Sequence, residues 1–219
     1  MPHTSRNVAV IGLGSFGSSV AAELSRFGDH VLGVDLDEGR VSRLSDTLYR
    51  AVIADARDER AMEQAGLGSY DVVVVAMASD LESSVLAVMN ARQCGVAEVW
   101  AKASSTTHAR ILESIGVERI VQPEHEFGEH IAHMLHNGAM QDYIRLAAGL
   151  HLAQIRVGGR HTGEPLEDLP LLNRYDLRCL GLVRDGRYLG CAESFRIAEG
   201  DTLLVVGTRG DMRAFAEKL

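Results

Sequence analysis

The chain of 219 residues is short of several things at once: it has three cysteines, four prolines, one tryptophan, and two lysines against twenty arginines. The cysteines, Cys94, Cys179 and Cys191, are odd in number, widely spaced and free of any CxxC pair. That excludes a disulfide frame and a structural zinc site, and leaves them as reduced packing residues. No run of about 18 apolar residues occurs, which is the length a membrane-spanning helix requires. Met1 to Arg6 lacks the charged-then-apolar profile of a signal peptide, so the expectation is a soluble, cytoplasmic chain. A basic cluster is missing too, and at a formal net charge of −8 there is no cationic face to neutralise nucleic-acid phosphates.

What is present begins with composition: 46% hydrophobic residues over this length suffice for one full core and a second small one. Val8-Ala9-Val10-Ile11 is an apolar strand running directly into Gly12-Leu13-Gly14-Ser15-Phe16-Gly17, a GxGxxG turn. Gly12 lets the chain leave the strand tightly, Gly14 lets a pyrophosphate approach bare backbone, and Gly17 lets the next helix pack on the sheet. Val20, Leu24 and Phe27 follow at helical spacing, and His30 to Val34 forms a second strand ending in Asp35. A carboxylate there accepts hydrogen bonds from ribose hydroxyls and repels a 2′-phosphate.

The alternation continues through helices marked by Val41/Leu44/Leu48, Ala61/Met62/Ala65, Leu81/Val85/Val88/Met89 and Ile111/Leu112/Ile115, with strands at 51–54, 72–76, 99–101 and 119–121. Strands separated by helices require right-handed crossovers, so residues 1–137 read as an α/β domain with a Rossmann-like, doubly wound parallel sheet. Ligands in such sheets bind outside the carboxyl ends of the strands. The strand ends are Gly12 to Gly17, Asp35, Asp55-Ala56, Ala76-Met77-Ala78, Lys102 and Glu124. Asp55 is placed either to approach an adenine amino group or ribose, or to cap the following helix. Lys102, one of only two lysines, either neutralises phosphate or pairs with a carboxylate.

After Pro123 a helix is expected over 124–137, and residues 138–150 read as a connection. Strand patterns at 152–157, 177–183 and 202–206, an Asp185-Gly186 hairpin turn and a short terminal helix make 151–219 a small α+β domain. His125, His130, His133 and His136 share the 124–137 helix with Glu126 and Glu129 at spacings that could hold a metal. Without a dedicated third ligand, solvated Glu/His pairs or interface packing is the stronger reading.

Val10 to Gly17, Val34-Asp35, Ala54-Asp55-Ala56, Trp100-Ala101-Lys102-Ala103 and Ile115 to Glu124 together resemble the KTN/RCK regulators of potassium transport, the KtrA- and TrkA-like soluble subunits. The last segment, IGxxxIxxPE, is the specific one. The resemblance implies a nucleotide-binding N-domain, a pairing helix after Pro123-Glu124 and a small regulatory C-domain. It implies an adenine nucleotide, ATP/ADP or NAD(H), held by Gly12, Gly14, Ser15, Phe16, Gly17, Asp35, Asp55, Ala56, Ala76, Met77, Ala78 and Lys102. Glu124 matches a family carboxylate linked with Mg2+ or another cation near the phosphates, or is a helix N-terminal acid favoured by the dipole. The implied partner is a KtrB/TrkH-like membrane-embedded potassium channel or transporter, bound beneath the inner face of the cell membrane by a ring, commonly octameric. No enzymatic activity is expected. The alternative, an NAD-dependent dehydrogenase, lacks a substrate domain of adequate size. Ser15 stands where KtrA-like members usually carry an arginine associated with sensing the terminal phosphate of ATP, so ATP and ADP affinities are expected to lie close together.

Overall fold

The computed structural model describes residues 5–191 and 195–218. The leader reading at Met1 to Thr4, and the expected domain end at Leu219, lie outside the described residues. Two compact units divide the chain, Met1–Glu124 and His125–Leu219.

The first unit contains β1 (Asn7–Ile11), α1 (Ser15–Arg26), β2 (His30–Asp35), α2 (Glu38–Leu44), β3 (Arg50–Ile53), α3 (Glu59–Gln64), β4 (Val72–Val75), α4 (Leu81–Gln93), β5 (Glu98–Lys102), α5 (Thr106–Ser114) and β6 (Arg119–Val121). All six strands are parallel in the order β3-β2-β1-β4-β5-β6. The order reverses between β1 and β4, which is the switch point where such sheets open a crevice. Val72 to Val75 are all buried, as a strand covered on both faces demands. Successive β1 side chains serve two separate cores: Ala9 and Ile11 join Leu32, Val73 and Val99 on one face, while Val8 and Val10 join Val31 and Leu48 on the other. α2 ends at Leu44, and Leu48, expected on that helix, reaches the core from the turn beyond it.

The second unit contains α6 (Pro123–His136), whose residues from His125 onward belong to it, then β7 (Met140–Arg145), β8 (Leu150–Arg156), α7 (Leu171–Tyr175), β9 (Arg178–Arg184), β10 (Arg187–Gly190), β11 (Thr202–Thr208) and α8 (Arg209–Ala216). Its strands pair antiparallel in the order β10-β9-β11-β8-β7. Asp185 (φ 49°) and Gly186 (φ 72°) make the hairpin turn expected there, because a two-residue loop that matches strand twist needs two positive φ values. Ile155, Leu177, Leu182, Leu203, Met212 and Phe215 fill the core beneath this sheet.

One segment differs from the sequence reading: residues 138–150 hold a strand. β7 pairs with β8, Tyr143 opposite Ala153 and Ile144 opposite Leu152, and a register shift between Met140 and Asp142 breaks the period-two alternation that would have announced it. The unit boundary also falls before most of α6 rather than after it. Cys94 and Cys179 are partly buried, but Cys191 is exposed and so is not a packing residue.

Candidate functional site

At the carboxyl ends of the parallel strands lies a cleft of about 530 Å³. The three glycines at its mouth differ in what requires them. Gly12 has φ +91°, a region that side chains rarely adopt, and an added Cβ would stand 3.2 Å from the Met77 backbone nitrogen. At Gly17 a Cβ would lie 1.9 Å from the Gly12 carbonyl oxygen, so α1 could not pack where it does. Gly14 is different. It is the N-cap of α1 at φ −66°, ψ −170°, a conformation open to any residue, and a Cβ there would meet nothing within 4 Å. Nothing in the protein itself demands glycine at this position.

The neighbouring helices α2, α3, α4 and α5 are capped by the side chains of Asp37, Asp58, Asp80 and Ser105. α1 has no side-chain cap and no acidic residue in its first turn. Its leading N–H groups, carrying the positive end of the helix dipole, therefore face the cleft beside the bare Gly14.

Asp35 ends β2 almost fully buried and accepts hydrogen bonds from the Leu13 N–H at 2.6 Å and the Asp37 N–H at 2.9 Å. The Arg40 guanidinium stands 3.4 Å from the same carboxylate. This aspartate thus fixes the glycine-rich turn as well as presenting a negative charge to the cleft. Asp55 takes Arg57 in a bidentate grip, Nε to Oδ1 at 3.0 Å and Nη2 to Oδ2 at 2.7 Å, which holds its carboxyl below the usual range. The capping role open to Asp55 falls to Asp58, which accepts from the Arg60 N–H. Lys102 forms an ion pair with Glu124 and lies 5.6 Å from the centre of the Phe16 ring. The ammonium lowers the Glu124 carboxyl from its ordinary value.

The cleft brings together Gly12, Gly14, Ser15, Phe16, Asp35, Asp55, Ala56, Ala76, Met77, Ala78 and Lys102. Gly17, from the same expected set, sits in the first turn of α1 and acts through close packing. Sequence reasoning missed Arg40, Arg57, Ser79 and Ser83, which also line the cleft. Arg57 had a usable signal, since it follows Asp55 by two residues in the same strand-to-helix turn. Arg40 had none, because its approach to Asp35 depends on how α2 docks.

Glu124, expected near a cation, spends its carboxylate on Lys102, and among the described residues no three His, Cys, Asp or Glu side chains converge as a metal site. These residues do not fit a divalent ion on their own. Among the α6 histidines, His125 lies 3.7 Å from Glu129, His130 pairs with Asp142 at 3.1 Å, and His133 meets Arg209.

The TrkA-N domain family matches residues 8–123, and the TrkA-C domain family matches residues 152–219. The chain is 34% identical over 203 residues to Ktr system potassium uptake protein A of Vibrio alginolyticus, covering 92% of each protein. It is 30% identical to Ktr system potassium uptake protein C of Bacillus subtilis (strain 168), covering 98% of this chain and 97% of that one. The solved GsuK channel bound to NAD shares the fold at a TM-score of 0.64 and 14% identity, over 98% of this chain and 39% of the channel chain.

Proposed function

The chain belongs to the family with paired TrkA-N and TrkA-C domains, and from that membership we propose that it is the cytosolic regulatory subunit of a potassium uptake system. An adenine nucleotide, ATP/ADP or NAD(H), binds the cleft of the first unit and sets the state of a membrane-embedded potassium channel or transporter. The relatives named for potassium uptake support this reading over the dehydrogenase, and the protein acts as a switch without chemistry of its own. The observation that carries nucleotide binding is Gly14: a glycine that the protein's own packing does not require, beside an uncapped helix N-terminus, is accounted for by a phosphate group that needs the space.

Among the described residues lining the cleft are the cations Arg40, Arg57 and Lys102, and each is already paired: Arg40 with Asp35, Arg57 with Asp55 and Lys102 with Glu124. A phosphate entering the cleft competes with those carboxylates, so binding rearranges side chains at the ends of β2, β3 and β5 at once. The output follows from differential affinity, since a ligand shifts a two-state equilibrium only by as much as it prefers one state. Moving such a switch almost completely from one state to the other takes roughly 10⁴-fold preference, which several charged contacts together can supply. Assembly beneath the membrane partner as a ring, commonly octameric in such subunits, runs through the apolar side of α6.

Thermal stabilisation of the full chain tests the cleft. NAD, ADP or ATP should raise Tm and NADP should raise it far less, because Asp35 opposes a 2′-phosphate. Asp35→Asn should narrow the NAD-to-NADP gap. Equal affinity of the native chain for NAD and NADP would overturn the role given to Asp35.

A further inference from the structure

We propose that the second unit carries a separate ligand site, for a metabolite-sized phosphomonoester with an apolar body, in the cavity bounded by α6, β7, β8 and α8. This cavity measures about 660 Å³, within the range that holds small organic ligands. Its polar wall is made by Arg209, Arg213, His133, His136, His151 and Asn137, with no carboxylate among the lining residues, in a chain whose net charge is −8. Its apolar wall comes from Ala132, Met140, Tyr143 and Met212. One side therefore offers cations and hydrogen-bond donors, and the other offers an aromatic ring with two flexible thioether side chains that adapt to an apolar body.

The charge is not spent inside the protein. Arg209 Nη2 lies 3.2 Å from His133 Nδ1. A guanidinium only donates, so this contact makes the His133 ring neutral with its proton on Nε2, and among the described residues no carboxylate pairs with the arginine. Burial first, and then Arg209, push His133 below its ordinary pKa; burial and Arg145 do the same to His151. Arg213 meets Glu217 only across 3.6 Å of exposed surface, a weak hold. Arg209 and Arg213 stand one turn apart on α8, while Gly210, in that helix's first turn, also lines the cavity. The floor is polar but unfinished: the His151 Nδ1 and Asn137 Nδ2 atoms are buried and without hydrogen-bond partners. A phosphate dianion between the two arginines supplies the missing counter-charge, and the apolar wall selects for an organic body on it.

The test uses the full chain with the nucleotide cleft saturated with ADP, and phenyl phosphate as the probe. Phenyl phosphate should bind by calorimetry and shift the His133 and His151 imidazole resonances, while phenol, which lacks the anion, should bind far more weakly. Arg209→Gln should weaken phenyl phosphate about tenfold or more, the loss of a charged hydrogen bond, and leave stabilisation by ADP unchanged. Arg209→Lys should recover part of the affinity. If Arg209→Gln fails to fold, the exposed Arg213→Gln carries the same expectation. Binding that ADP abolishes, phenol binding as tightly as its phosphate, or unchanged affinity in the arginine variants would each overturn the proposal.

Discussion

The two units build their recognition surfaces in opposite ways. In the first, the candidate site grows from consecutive residues: Gly12, Leu13, Gly14, Ser15, Phe16 and Gly17 form a turn whose shape is held by Asp35 and the Gly12–Gly17 contact. In the second, the cavity draws on α6, β7, β8 and α8, and residues as far apart as His133 and Arg209 meet in it. The apolar surface is also spent differently. Helices α1 to α5 each bury at least one residue in the cores of the first unit, whereas α6 buries none and leaves Phe127 65% exposed and Leu135 81% exposed. A local motif specifies a site cheaply because loop closure is short. A composite cavity exists only after the sheet has formed.

That contrast is most easily broken at α6. Phe127→Asp together with Ile131→Asp removes two apolar side chains from the proposed self-association face, worth roughly 3–6 kcal/mol of association if both are fully buried in the assembly. Light scattering should show the ring or dimer dissociated while circular dichroism keeps its helix content. An unchanged mass would mean that α6 is a solvent face and takes no part in self-association.

Next come the glycines of the first unit. Gly17→Ala should cost about 3 kcal/mol or more, because the clash is with backbone and cannot be relieved by a rotamer. Gly14→Ala should leave stability within about 0.5 kcal/mol of the native chain and yet weaken nucleotide binding. Chemical denaturation with and without ADP separates the two. A loss of stability in Gly14→Ala equal to that in Gly17→Ala would show that the motif serves folding alone.

In the second unit the counterpart of the Asp35 anchor is Asp201, which is 2% exposed. It accepts from Arg184 at 2.8 and 2.7 Å and from the Ala198 N–H at 2.8 Å. The Arg184 hydrogen bonds hold its carboxyl below the ordinary value. A depressed carboxylate contributes stability above its unfolded pKa of about 4, and that contribution is lost as the pH falls through the lowered folded value. Arg184→Gln should cost about 1.5–3 kcal/mol at neutral pH and flatten the acid limb of the stability curve. An acid limb identical to that of the native chain would remove Asp201 from this role.

The smallest effect expected is at Ser15, where a hydroxyl offers one neutral hydrogen bond. ATP and ADP should bind the native chain with similar affinity, and Ser15→Arg should shift the ratio toward ATP by about tenfold. Titration of both nucleotides against both proteins measures it. If the native chain already prefers ATP strongly and the variant adds nothing, Arg57 or Lys102 reads the terminal phosphate.

The residues show where legibility ended. The parallel sheet and its strand ends, which line the cleft, could be read from periodicity and from GxGxxG, because period and turn chemistry are local properties. β7 could not, since its register shift and polar Gln141-Asp142 pair hide the alternation. The Arg40–Asp35 contact and the second cavity could not either.

By itself, then, the sequence determined the α/β alternation, the glycine turn, Asp35 at the end of β2 and the hairpin at Asp185-Gly186, all of which depend on neighbours within a few residues. Only the tertiary structure decided that Gly14 is free of packing demands while Gly17 is not, that Lys102 takes Glu124 as its partner, and that α6, β7, β8 and α8 enclose a cationic cavity. Those outcomes rest on distances between segments brought together by burial of the two cores, and no local pattern encodes such distances.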